Sequence, residues 1–125
     1  MTRGKIIFIR NHLYVYVTCE FNGDMHPDRR GETILASFQN GAFETYQGYE
    51  TFVRKFNRKF FGYEEELIKE TIEYNERTID ITNNWTDYLY IINESPSEWQ
   101  IVTKENKIML QPRSLGSAHY QKIID

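Results

Sequence analysis

The sequence predicts a single α+β domain spanning residues 1–125, with an antiparallel sheet of about five to six strands and two to three helices packed on one of its faces. Three observations lead to this fold class. Apolar and polar residues alternate in the N-terminal third, apolar residues recur at helical spacing in the middle, and short β-type segments separated by turn residues follow residue 77. A chain of 125 residues can also bury enough surface to fold without disulfides or a structural metal.

Residues 5–10 and 13–21 are predicted to form the first two strands, joined by a two-residue turn at Asn11 and His12. Alternation of apolar and polar side chains places one face of a strand on the core. We therefore expect one apolar face in the second strand, which Asn22-Gly23 then ends. The residues of that face are Leu13, Val15, Val17, Cys19 and Phe21.

The polar loop after the second strand leads into a short predicted helix. Asp28 stands at the position of an N-cap, and Asn40-Gly41 ends the helical pattern. The apolar residues between them recur at helical spacing and are expected to face the core. They are Ile34, Leu35 and Phe38.

Residues 49–60 give the clearest helical pattern in the chain, and Gly62 ends it. Its apolar face consists of Tyr49, Phe52, Val53, Phe56 and Phe60. Residues 63–74 are predicted to form a further helix, whose inward positions are Leu67, Ile68 and Ile72.

The signals return to β from residue 77 onward. The predicted strands are residues 77–81, 87–93, 98–103 and 107–111, separated by turn-forming polar residues. Residues 112–125 fit no single element. Because two strands, two or three helices and then about four strands follow one another, the pattern predicts an α+β fold with helices on one face of an antiparallel sheet.

Charge and composition narrow the classes of partner. The net charge is −3 and the pI is about 5.6, whereas general duplex-DNA binders usually carry a basic balance, so duplex nucleic acid is not expected. The single Cys19 cannot form an internal disulfide and is expected to be a small buried apolar side chain. No apolar stretch approaches the roughly 20 residues that cross a membrane. We therefore expect a cytoplasmic protein with no membrane partner.

The residues that usually hold metals do not fall into a known ligand spacing. Neither the three histidines nor Cys19 form a zinc pattern. Asp24, His26 and Asp28 alternate within one loop, but the further oxygen ligands of a calcium loop are missing. We expect neither a metal nor a cofactor.

Nucleophilic catalysis has equally weak support in the sequence. Ser114 and Ser117 precede His119, but closeness along the chain is not the geometry of a triad. Thr2 would become an N-terminal nucleophile after removal of the initiator methionine, yet the surrounding residues do not match that class. We expect a protein without enzymatic activity; a hydrolase using His26 or His119 is the third alternative.

The polar side of the predicted helix 49–60 is strongly basic and has two readings. It carries Arg54, Lys55, Arg58 and Lys59. A solvated helix face, neutralised by the glutamates that follow or across a dimer contact, is the favoured reading. The other is contact with phosphate groups, which arginine can bind in a bidentate manner.

The second half of the chain supplies the side chains that a nucleotide-like ligand needs. Trp85 and Tyr90 offer rings for stacking on a base, Asn93 offers an amide for the base edge, and Arg113 offers a guanidinium for phosphate. The alternative is that the rings fill the core and that Arg113 is a surface charge. Among N-terminal residues, Arg3 and Arg29 are retained as candidate ligand contacts.

Three segments near the N-terminus resemble the opening of many small bacteriophage proteins. They are residues 2–9 with an Arg-Gly-x-Ile type strand, the aromatic-Asn-Gly turn at 21–23, and the glycine-led helix start at 31–34; a later strand at 87–92 is similar too. Where those proteins have an Asp-Gly-Tyr-Pro turn, this chain has Asn-Gly-Asp-Met-His-Pro at 22–27.

Within that group the chain resembles the anti-Thoeris sponges, oligomeric phage proteins that sequester cyclic ADP-ribose-type signals, with some members binding cyclic oligonucleotides. The resemblance implies a non-catalytic homo-oligomer that binds a nucleotide-derived immune signal in the cytoplasm of the infected bacterium. It also implies that Trp85, Asn93 and Arg113 fill the roles of ring, amide and guanidinium, with tryptophan replacing the phenylalanine of that family. The alternative is a protein-interaction inhibitor of a host immune enzyme.

Overall fold

The computed structural model of the chain describes residues 2–62, 66–74, 86–94, 98–103, 108–112 and 120–124. These residues form two helices and eight strands, which confirms the α+β class. The helices are α1 (Gly31–Gln39) and α2 (Tyr46–Phe60). The strands are β1 (Arg3–Arg10), β2 (Tyr14–Thr18), β3 (Phe21–Asn22), β4 (Ile68–Glu73), β5 (Tyr88–Asn93), β6 (Glu98–Thr103), β7 (Ile108–Pro112) and β8 (Tyr120–Ile124).

All eight strands belong to one sheet in the order β4-β2-β1-β5-β6-β7-β8, with the short β3 also paired to β1. The pairs are antiparallel except β1–β5, which is parallel. This parallel pair departs from the antiparallel sheet expected from the sequence. Parallel strands need a long connection, and β2, β3, α1, α2 and β4 lie between β1 and β5 along the chain. The predicted strand at 77–81 lies outside the described residues.

The predicted turn between β1 and β2 is confirmed. Asn11 and His12 both have positive φ, 53° and 56°, and the N–H of Leu13 donates to the carbonyl of Arg10 at 2.9 Å. Positive φ at both central residues gives the backbone twist that a tight hairpin needs, and asparagine tolerates this conformation better than most residues. The turn is therefore fixed locally.

The predicted single apolar face of residues 13–21 is confirmed only for Val15 and Val17. The register between β2 and β4 shifts between Val17 and Thr18, and such a bulge interrupts the alternation of side chains. Val15 and Val17 lie in one buried cluster, whereas Phe21 lies in the other. Leu13, at the start of the pattern, is 61% exposed.

Helix α1 has its apolar face where the sequence predicted it, but Asp28 is not its N-cap. The N-cap residue is Arg30, without a side-chain cap hydrogen bond. The preceding turn supplies backbone carbonyls instead: the N–H groups of Glu32 and Thr33 donate to the carbonyls of Arg29 and Arg30, each at 3.1 Å. These carbonyls satisfy donors that a side-chain cap would otherwise serve.

Helix α2 begins at Tyr46, three residues earlier than predicted, because Thr45 caps it. The Thr45 hydroxyl accepts the N–H of Gly48 at 3.1 Å. The helix ends before Gly62, whose φ of 71° suits glycine.

The helix predicted for residues 63–74 is wrong: residues 68–73 form β4 instead. Leu67, Ile68 and Ile72 are compatible with helical spacing, but pairing with β2 satisfies the backbone of this segment. Ile68 packs on one buried cluster and Ile72 on the other. The β-branched isoleucines suit a strand with apolar neighbours on both sides.

The core consists of two buried clusters on alternating residues of the central strands. Ile6 and Phe8 of β1 belong to the first cluster, together with buried residues of both helices. Ile7 and Ile9 belong to the second cluster, with Val15, Val17, Leu89 and Ile91. Strand β1 is thus apolar on both faces, which explains why its sequence is a continuous apolar run rather than an alternating one.

Candidate ligand-binding site

The N-terminal ends of β1 and β5 lie side by side because the two strands are parallel. Gly4 is paired with Tyr88. The N–H of Arg3 donates to Oδ2 of Asp87 at 2.8 Å, and the N–H of Asp87 donates to the carbonyl of Arg3 at 3.0 Å. The fold therefore brings residues from opposite halves of the chain together at this end of the two strands.

The loop before α1 reaches the same end of β1 and β5. The rings of His26 and Tyr88 meet edge to face, with centroids 5.3 Å apart and an interplanar angle of 81°. Nδ1 of His26 accepts the N–H of Asp28 at 3.0 Å. We call the group of Arg3, His26, Arg29, Asp87 and Tyr88 the strand-start surface.

The charges of the strand-start surface are partly balanced. The Arg3 guanidinium lies 3.8 Å from a carboxylate oxygen of Glu20 and 4.0 Å from one of Asp87. Arg29 is exposed and leaves its cation accessible to solvent. Burial and the neighbouring Asp87 and Asp28 carboxylates raise the pKa of Tyr88, so its phenol keeps its proton to a higher pH than a free tyrosine does. This end of the sheet thus offers the His26 ring, the Tyr88 phenol and the exposed Arg29 side chain to a ligand.

Of the residues predicted to contact a ligand, Arg3 and Arg29 belong to this surface. Trp85 and Arg113 lie outside the described residues. Tyr90 is buried in the first cluster, and its hydroxyl donates to the carbonyl of Met25.

Asn93 is the last residue of β5, whereas Tyr88 is the first. Five steps of about 3.3 Å separate the two residues by roughly 17 Å, so Asn93 lies at the other end of the strand from the strand-start surface. The sequence thus predicted residues from both ends of β5. They cannot all contact one small ligand within a single protomer.

Two concave surfaces flank helix α2. The sequence predicted neither cleft, although Arg54 and Lys55 of the predicted basic face line one each. The first, which we call the α2–β4 cleft, has a volume of about 400 Å³ and is lined by Tyr46, Glu50, Arg54, Glu66 and Ile68 among others. Glu50 and Arg54 form an ion pair one helical turn apart. Burial and the Glu50 carboxylate raise the pKa of Tyr46.

The second, the α1–α2 cleft, has a volume of about 450 Å³ and lies where the loop between the helices meets the start of α2. Its polar side chains are Ser37, Thr45, Gln47, Thr51 and Lys55. They come from α1, the connecting loop and α2. Single hydroxyl and amide residues in three segments give no sequence pattern, so only their position in space identifies the cleft.

Comparison with protein-family models, curated proteins and solved structures finds no match to this chain. Neither helix in the described part of the chain is long and apolar enough to span a bilayer. Within the same residues, no three His, Cys, Asp or Glu side chains cluster as a metal site would require.

Proposed function

We propose that this protein is a phage anti-defence protein that binds a nucleotide-derived immune signal, of the cyclic ADP-ribose type or a cyclic oligonucleotide, and sequesters it without cleaving it. The observation that supports the proposal is the strand-start surface, where the rings of His26 and Tyr88 meet and the backbone N–H groups of Arg29 and Arg3 bond to the His26 carbonyl and to Asp87. Guanidinium groups bind phosphates and rings stack on bases, which are the two contacts a nucleotide-like ligand requires.

Sequestration requires a high binding affinity and no catalytic step. Burial of the ligand between the subunits of a homo-oligomer is part of the proposal, because a ligand enclosed on several sides loses more contact with water. Such an interface would also let Arg3 of one protomer and Asn93 of another contact the same ligand, although they lie at opposite ends of the strands within one protomer. Trp85 and Arg113 remain predicted contacts. The proposed place of action is the cytoplasm of the infected bacterium.

Calorimetric titration with cyclic ADP-ribose isomers and cyclic dinucleotides tests the proposal. We expect heat with at least one of them, and recovery of that compound unchanged after the protein is heat-denatured. Arg29→Ala should weaken binding about tenfold or more, because a charge-assisted hydrogen bond is removed. Arg54→Ala is the matched control: it also removes one exposed guanidinium, but in the α2–β4 cleft. Absence of heat with every compound overturns the proposal, and a cleaved product would instead indicate a hydrolase.

A second candidate function is inhibition of a host immune enzyme by direct contact. The observation that favours it is the hairpin tip, where Leu13 is 61% exposed and Tyr14 is 45% exposed. Exposed large apolar side chains at a rigid turn are suited to insertion into a partner. In pull-downs from infected cells, a host protein retained by the wild type and lost with Leu13→Ser would support this function.

A further inference from the structure

The α1–α2 cleft differs in charge from its neighbour on the other side of α2. Among the residues that the structure describes, its only charged lining residue is Lys55. The described residues that line the α2–β4 cleft include one cation, Arg54, and two carboxylates, Glu50 and Glu66, so their formal charges sum to −1 rather than +1. Of these two clefts, the one between α1 and α2 suits an anion.

We propose that the α1–α2 cleft binds the phosphate group of a phosphate monoester such as a nucleotide. Phosphate oxygens accept hydrogen bonds and carry negative charge, so they require donors and a cation. The cleft supplies the Lys55 ammonium, the Gln47 amide and the hydroxyls of Ser37 and Thr51. Within the described residues these four side chains have no hydrogen-bond or ion-pair partner, so they are available to a ligand.

Two further features define the shape of the cleft. The Thr45 hydroxyl accepts the Gly48 N–H at 3.1 Å, which leaves its own proton available for donation. A Cβ atom at Gly48 would lie 2.1 Å from the carbonyl oxygen of Ala42, so loop and helix are in direct contact here. The nearly buried ring of Phe52 adds an apolar wall. A polar group can thus bind among the donors while an apolar part of the same ligand packs on the ring.

The cations on the exterior of α2 require a control. Arg54, Arg58 and Lys59 are exposed near Lys55, and such a group attracts any anion in a manner that salt screens. Lys59 is on the same helix as Lys55 and carries the same charge, but it does not line the cleft and lies over the ring of Phe60 instead. Replacing either lysine changes the net charge equally, so a difference between the two variants reports the cleft itself.

This inference goes beyond the proposed function: it concerns a terminal phosphate monoester, whereas the cyclic signals carry diphosphate or phosphodiester groups. The cleft adjoins the C-terminal part of α1 through Ser37, whereas the strand-start surface adjoins the turn before that helix. The two regions can therefore be tested separately.

The probes are adenosine 5′-monophosphate, adenosine and inorganic phosphate. They are titrated into the 15N-labelled full chain in about 50 mM and about 150 mM salt, because screening strengthens between the two as the Debye length falls to about 8 Å. We expect the monophosphate to shift the amide signals of Ser37, Thr51 and Lys55, phosphate to compete with it, and adenosine to have no effect. Lys55→Ala should weaken monophosphate binding about tenfold to a hundredfold, Lys55→Arg should retain most of it, and Lys59→Ala should match the wild type. Thr51→Val should cost a smaller factor, since it removes one neutral donor.

Equal weakening by Lys55→Ala and Lys59→Ala overturns the proposal, because binding would then depend on charge alone. No monophosphate binding, or shifts confined to residues of the strand-start surface, overturns it as well. If the monophosphate binds through Lys55 but no cyclic signal binds, the proposed function fails and the cleft stands. If a cyclic signal binds with equal affinity to both lysine variants, the function stands and the cleft does not contribute.

Discussion

Replacing Tyr49 with phenylalanine tests how α2 is attached to the sheet. Tyr49 is fully buried, and its hydroxyl lies 2.8 Å from the carbonyl oxygen of Ile6 in β1 and 2.9 Å from that of Tyr16 in β2. A phenol has one proton, so these two acceptors share a single donor. Phenylalanine keeps the ring, which stacks on Phe8 at a centroid distance of 5.0 Å, and removes only that donor.

The expected loss of stability follows from this geometry. Leaving a buried acceptor without its donor costs about 1–3 kcal/mol, and because one proton serves both carbonyls the loss should be counted once, not twice. Urea unfolding of Tyr49→Phe should therefore show a free energy of unfolding about 1–3 kcal/mol below wild type, with an unchanged m-value. Tyr14→Phe is the control: its ring is 45% exposed, so the change should remain within about 0.5 kcal/mol. A Tyr49→Phe protein as stable as the control would refute this attachment.

Three further predictions concern the same core. Burial raises the pKa of Tyr49 well above 10, so at high pH the folded protein keeps a proton that the unfolded chain releases. The contribution of Tyr49 to stability should therefore be intact below about pH 10 and fall above it. Urea unfolding across that pH range should show a less steep fall for Tyr49→Phe. Gly31→Ala should lower the free energy of unfolding by about 1–3 kcal/mol, because the new Cβ would lie 1.9 Å from the Tyr90 hydroxyl oxygen. Adding Tyr90→Phe should recover part of the loss, and strictly additive effects in a double-mutant cycle would contradict the clash. Thr18→Val should cost about 1–3 kcal/mol and speed hydrogen exchange at Ile6, whose N–H donates to the buried Thr18 hydroxyl at 2.9 Å; unchanged exchange there would exclude that bond.

Elements whose signals are local were predictable from the sequence. The turn at Asn11 and His12 depends on two residues that tolerate positive φ. The buried face of α2 depends mainly on the spacing of its own aromatic residues. The cap at Thr45 and the burial of Asn57 were missed, and Phe60 is only half-buried. Each of these features is decided within a few residues along the chain, so a periodicity argument is sufficient.

Features that depend on a partner strand were not predictable. Ile68 and Ile72 are spaced equally well for a helix, and their assignment to β4 comes from pairing with β2. The bulge near Val17 changes which face of the chain is buried, and no residue type announces it. Position along the chain also gave no sign that β1 and β5 run parallel.

The candidate sites divide in the same way. The sequence by itself determined which chemical groups are available: arginines and rings for a nucleotide-like ligand, and a basic face on α2. Only the tertiary structure decided which of them meet. It places Arg3 and Arg29 near the start of β1 and β5, Tyr90 in the core and Asn93 at the far end of β5. The physical reason is that residue type sets local conformation and chemistry, whereas a site depends on strand order and register, which are set by contacts between distant segments.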